Sequence, residues 1–164
     1  MFRRAYMGWF GLLILSAATG LPGEVDPVWI QGCFTGRSPR PVNIAETAAW
    51  QQASALAENT PTAFVLVGTG RSMHPLYGAG TILVLQKPPY GELRCGQTVL
   101  YRTKHQKIVA HLLVAKVRDG WRARGLNNAL HDMEPVNADN LVGIVIAAFQ
   151  PGAPDRTVQL VTQR

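Results

Sequence analysis

The sequence is short of charge. Only 16% of its 164 residues are Asp, Glu, Lys or Arg, while 47% are hydrophobic. That balance excludes a disordered chain, and the length suffices for one domain with a modest core. The net charge is +6, but no basic run gathers it. With no helix-turn-helix pattern either, a weakly basic surface is expected rather than a nucleic-acid partner. Cysteine is scarce, with Cys33 and Cys95 alone. Neither stands in a C-x-x-C pair and no zinc-ligand spacing occurs, so neither a redox motif nor a metal or organic cofactor is expected. If the domain is exported, the two cysteines could form a disulfide, provided the fold brings them together. Internal repeats and low-complexity tracts are absent as well.

What is present begins with a hydrophobic amino terminus. Arg3 and Arg4 precede an uncharged run from Ala5 to Leu21. Basic residues ahead of such a run mark an export signal or a membrane anchor, with the positive end left in the cytoplasm. The run is 17 residues long, the short limit for crossing ~30 Å of hydrocarbon as a helix. Ser16-Ala17-Ala18 and Ala18-Thr19-Gly20 both satisfy a small-x-small cleavage rule. Residues 1–21 therefore read as a signal peptide or an anchor, and the rest of the chain as extracytoplasmic. Residues 22–42, rich in Pro and Gly, read as a linker, with Trp29 and Phe34 packing on the domain that follows or sitting at the membrane interface.

That domain, residues 43–164, opens with one helix. Asn43 is placed as an N-cap, with Glu46 completing a capping box. Ile44, Ala48, Ala49, Gln52, Ala55 and Leu56 keep roughly helical spacing to Glu58, and Asn59-Thr60-Pro61 ends it. Strands are expected at Ala63–Val67, Thr81–Leu85, Thr98–Tyr101, Ile108–Val117, Trp121–Arg124, Asn140–Phe149 and Thr157–Thr162. Asp119-Gly120 suggests a hairpin. The run from Asn140 is apolar almost throughout, as in a strand covered on both faces.

One stretch stands apart, Gly68-Thr69-Gly70-Arg71-Ser72-Met73-His74-Pro75. It follows the apolar strand Ala63–Val67 and breaks it on glycines. A serine on such a break sits where a nucleophile reaches a substrate carbonyl. Taken alone it is as well a turn serine. Three further features follow in order. Gly80-Thr81 opens a strand. Gly96-Gln97 leads through Thr98–Arg102 to a strand carrying His111. Gly125-Leu126-Asn127-Asn128 precedes Asp132.

This order resembles the serine peptidases of the signal peptidase I and LexA-like superfamily, from about Val65 to Ala148. The family pattern is S-M-x-P, two glycine-aspartate strand starts, a strand bearing the base, and G-D-x-N with a further aspartate. The resemblance implies a mainly β fold, a coiled and partly closed antiparallel sheet. An amino-terminal hydrophobic helix and one short amphipathic helix would accompany it. It implies Ser72 as nucleophile with Met73 packed beneath it, His111 as general base 39 residues on, and Asp132 behind the histidine. Histidine at the base position is similar to the endoplasmic-reticulum and archaeal branch, where arginine follows; here Leu112 follows. Thr81, Gln97 and Leu126 stand where the pattern has aspartates. Those aspartates bond locally in turns, and their loss reads as divergence.

The chemistry is coherent without the family. A serine hydroxyl needs a neighbour to take its proton. An ordinary imidazole is largely neutral at pH 7 and can do so. A carboxylate on its other nitrogen fixes the tautomer. The Ser72 N–H would hold the oxyanion. Many signal peptidases add a hydroxyl two residues before the nucleophile; that position is Gly70, and Thr69 is the nearest substitute. Asp139 is the alternative carboxylate. Lys107 shares strand parity with His111 but lies ~13 Å along the strand. His74, His105 and His131 read as solvent-facing, turn and loop residues. The expected function is a membrane-associated serine endopeptidase that cleaves a peptide or precursor protein after small residues. A catalytically inactive envelope domain that binds a peptide or protein partner is the alternative. A LexA-like self-cleaving regulator lacks both its DNA-binding amino terminus and its lysine base here.

Overall fold

A computed structural model describes residues 28–152. The expected signal or anchor over 1–21 and the strand over 157–162 lie outside them. Among the described residues no helix is long and apolar enough to cross a membrane.

The elements run β1 (Trp29–Ile30), β2 (Cys33–Phe34), β3 (Val42–Ile44), α1 (Glu46–Glu58), β4 (Phe64–Val67), β5 (Ile82–Gln86), a short 3-10 turn (Tyr90–Glu92), β6 (Thr98–Arg102), β7 (Ile108–Val117), β8 (Gly120–Arg124) and β9 (Leu141–Pro151). The fold is mainly β, with one α-helix. β1 and β2 form a hairpin. The others form a seven-stranded sheet in the order β4-β5-β9-β6-β7-β8, and β3 also pairs with β9. Every pairing is antiparallel except β3 with β9.

β9 is long because it serves three partners. β5 lies along one side of Ile144–Phe149. On the other side β6 pairs with Leu141–Ile144 and β3 with Phe149–Pro151. Strand alternation divides the core. Leu83 and Leu85 face a cluster with Met73, Leu100, Leu112 and Leu126. Ile82 and Val84 face Ala49 and Ala53 of α1. Thus β5 is buried on both faces, as its unbroken apolar sequence requires. Val99, Tyr101 and Leu113 turn to a third cluster around Trp121 and Val136.

Two expectations change, and one open point is decided. Asn43 is not the helix cap. It pairs with Gln150 in β3, and the helix starts after Ala45, which makes no side-chain cap. Pairing with β9 holds Asn43 in a ladder, which outweighs a capping bond worth ~1 kcal/mol. The stretch expected to be a linker is packed over its described part. Cys33, Thr35 and Ser38 are buried, and Ser38 Oγ bonds the Gly96 carbonyl (2.9 Å) and Thr98 Oγ1 (2.7 Å). Phe34 lies over Gly96, whose φ is +87° and whose missing Cβ would fall 2.5 Å from the Phe34 ring. Only glycine meets both conditions. Trp29 leans edge-on against Phe34 at 5.7 Å yet stays 63% exposed. Finally, Cys33 and Cys95 are both free thiols. Cys33 lies 3.8 Å from an Arg124 nitrogen, and Cys95 donates to the Val114 carbonyl.

Candidate active site

The Ser72 loop begins where β4 stops. Gly68 N–H donates to the Thr81 carbonyl (2.8 Å), and Gly80 N–H to the Gly68 carbonyl (2.7 Å), so the β4–β5 ladder is closed at its end. The chain then turns tightly: His74 N–H donates to the Arg71 carbonyl and Tyr77 N–H to the Met73 carbonyl. Met73, Leu76 and Tyr77 are buried below, and Ser72 stays half-exposed above them. The loop is tied across to the segment after β8, where Asn127 N–H donates to the Ser72 carbonyl at 2.7 Å. Gly125 permits that approach. A Cβ there would sit 2.9 Å from the Ser72 carbonyl oxygen and 2.7 Å from the Asn128 side chain.

His111 is in the middle of β7, opposite Val99 of β6, and is 7% exposed. Its Nδ1 lies 2.6 Å from Asp132 Oδ2. Asp132 is fixed by its own N–H, which donates to the Ala123 carbonyl of β8. The sequence left the carboxylate open between two residues, and the structure brings Asp132 to the ring. Asp139 instead sits in the turn before β9, its N–H bonded to Asn137 Oδ1. Because an ionised carboxylate only accepts, Nδ1 carries the proton and Nε2 presents a lone pair.

A third member was not foreseen. Tyr101 of β6 donates its hydroxyl to the same Asp132 Oδ2 at 2.7 Å. Its ring meets His111 edge-on, with centroids 6.4 Å apart. Burial foremost, and then the Asp132 carboxylate, push its pKa far above the ordinary tyrosine range. The signal was strand parity: Tyr101 and Val99 share a face of β6, and Val99 stands opposite His111. That register was not known from the sequence.

Ser72 Oγ and His111 Nε2 are not hydrogen-bonded to each other or to other described residues. Among the described residues Trp121 Nε1 is the only fully buried side-chain N or O atom without a partner, so neither of these two atoms is completely buried. The Ser72 N–H likewise has no acceptor among the described residues. A cavity of about 200 Å³ is lined by Ser72, Thr69, Val109 and Ala110, and His111 is not among its lining residues. Ala110 and Leu112 pack toward Met73 and Leu100, whereas His111 shares the other face of the sheet with Val99 and Tyr101. Leu66 and Leu100 make it apolar. His74, His105, Lys107 and His131 are exposed and bond to none of these groups. No group of three His, Cys, Asp or Glu suited to a metal occurs among the described residues. A scan against protein-family models found no match, and no curated protein matches the chain.

Proposed function

We propose that this chain is an exported, membrane-associated serine endopeptidase resembling signal peptidase I, built on a sheet of the signal peptidase and LexA-like type. The observation that carries the reading is the 2.6 Å His111–Asp132 contact. It orients the His111 ring, while Ser72 lines a cavity that reaches β7 at Val109 and Ala110, the two residues before His111. Ser72 Oγ attacks the scissile carbonyl carbon while His111 Nε2 takes its proton. The imidazolium, steadied by Asp132, returns that proton to the departing amine. Water then enters, loses a proton to Nε2 and attacks the acyl carbon; as the bond to Ser72 Oγ breaks, Nε2 returns that proton to Oγ and the acid is released. The unpaired Ser72 N–H is available to the oxyanion, and Thr69 in the same cavity offers a hydroxyl in place of the one Gly70 lacks. Substrate is a peptide or precursor protein with small residues before the cut, held against the apolar wall of Leu66, Leu100 and Val109. The hydrophobic run Ala5–Leu21 supports placement at a membrane, with the domain on the extracytoplasmic side.

Ser72→Ala tests this directly. Cleavage of a precursor peptide by the purified full chain should fall to background, and equal activity in the variant would sink the assignment. The missing Ser72–His111 hydrogen bond favours a second reading, an inactive envelope domain that binds a peptide without cutting it. Peptide binding equal in wild type and Ser72→Ala, with no turnover in either, would select it.

A further inference from the structure

We infer that Tyr101 is a positioning residue for the His111–Asp132 pair, acting through the single oxygen that its hydroxyl shares with the imidazole. A carboxylate oxygen has two lone pairs, and both of those on Oδ2 are engaged, by Tyr101 at 2.7 Å and His111 Nδ1 at 2.6 Å. The two donors approach from neighbouring strands. Tyr101 is held in β6 between Val109 and Leu141, and His111 in β7 opposite Val99. Asp132 comes from a loop, tied by one backbone bond to Ala123. The paired strands therefore locate the loop-borne partner, rather than the reverse. A single donor leaves Oδ2 an arc of positions about the Cβ–Cγ bond that keep its bond to the ring. Two donors from different strands narrow that arc to the positions that satisfy both. The edge-on Tyr101 ring closes the same side of the imidazole. Removing the hydroxyl frees the carboxyl to turn toward solvent, which its 16% exposure permits. The Nδ1 proton is then less well held.

The inference rests on the peptidase reading only for its effect on turnover; the positioning itself can be read without a substrate. Tyr101→Phe in the full chain keeps the ring and its core contacts. Solvent exchange of the His111 Nδ1 proton, followed by NMR, should quicken about tenfold, the scale of one hydrogen bond to a charged group. 4-Aminophenylalanine at 101, a weaker donor in the same place, should give an intermediate rate and keeps the test open if Tyr101→Phe does not fold. Exchange at the wild-type rate in whichever of these variants folds overturns the inference. Where peptide is cleaved, Tyr101→Phe should lower kcat about tenfold at unchanged KM. The loss should vanish in an Asp132→Asn background, and additive losses would mark a merely structural tyrosine. If no peptide is ever cleaved yet exchange responds as stated, the peptidase reading fails and the positioning stands. Turnover with unresponsive exchange gives the converse.

Discussion

The two halves of the candidate site are built by different means. The base half is strand-borne: His111 and Tyr101 sit in paired strands, and Asp132 is clamped between them through one oxygen. The nucleophile half is loop-borne. Ser72 is fixed through its backbone, by Asn127 and by the closed end of the β4–β5 ladder, while its hydroxyl bonds nothing. The His111 ring is thus oriented by its own partners. The serine keeps one rotatable bond, χ1, with which to meet a carbonyl. A hydrogen bond absent without substrate and formed with it is common at such sites.

Four experiments would break or sharpen that contrast. The largest effect belongs to the base half. Asp132→Asn should lower kcat by ~10³–10⁴-fold, because an amide in place of the carboxylate favours the wrong imidazole tautomer. A loss under tenfold, measured on a peptide that wild type cleaves, would mean that the ring is oriented by the strand alone. Next comes the loop half. Gly125→Ala puts a methyl 2.9 Å from the Ser72 carbonyl oxygen. It should cost ~10²-fold in kcat/KM, the scale of a displacement of about 1 Å. Exchange of the His111 Nδ1 proton should stay as in wild type; a change there would show the halves to be mechanically coupled. Tyr101→Phe, about tenfold, lies between these and the smallest effect.

That smallest effect is on stability. Tyr77 and Tyr101 both have pKa values raised by burial. A raised folded-state value means the folded chain keeps protons that the unfolded chain gives up above pH ~10. Their contribution is whole below that pH and is lost above it, by at most ~1.4 kcal/mol per pH unit for each tyrosine. Urea unfolding should give a midpoint that falls above pH ~10, less steeply in Tyr101→Phe. An equal slope in the two proteins would show that Tyr101 titrates normally.

Much of this was legible beforehand, for physical reasons. Ile108–Val117 was bounded correctly because the polar stretch Lys104–Lys107 and Asp119-Gly120 flank an apolar run long enough to be unambiguous. His111 and Asp132 could be named from their order, although only the fold could choose between Asp132 and Asp139. The misses share a cause. Ser38 reaches 58 residues to Gly96, Asn43 pairs with Gln150, and Tyr101 reaches Asp132 across 31 positions. Local chemistry called for a linker and a cap, and gave Tyr101 no role beyond its strand. In each case a bond that is distant in sequence decided otherwise, and periodicity holds no record of such bonds.

The placement of β9 also bears on how the chain folds. β4-β5 and β6-β7-β8 are two antiparallel pieces, each made of neighbours in sequence, and no strand pairing joins them except through β9. During synthesis both pieces emerge before Leu141–Pro151 does. Until then β5 and β6 each present an unpaired apolar edge, the condition under which strands pair with the wrong partner. Closure then depends on contacts of long sequence separation, a slow class of event. A chain halted before Pro151 should therefore aggregate rather than yield a smaller, soluble domain.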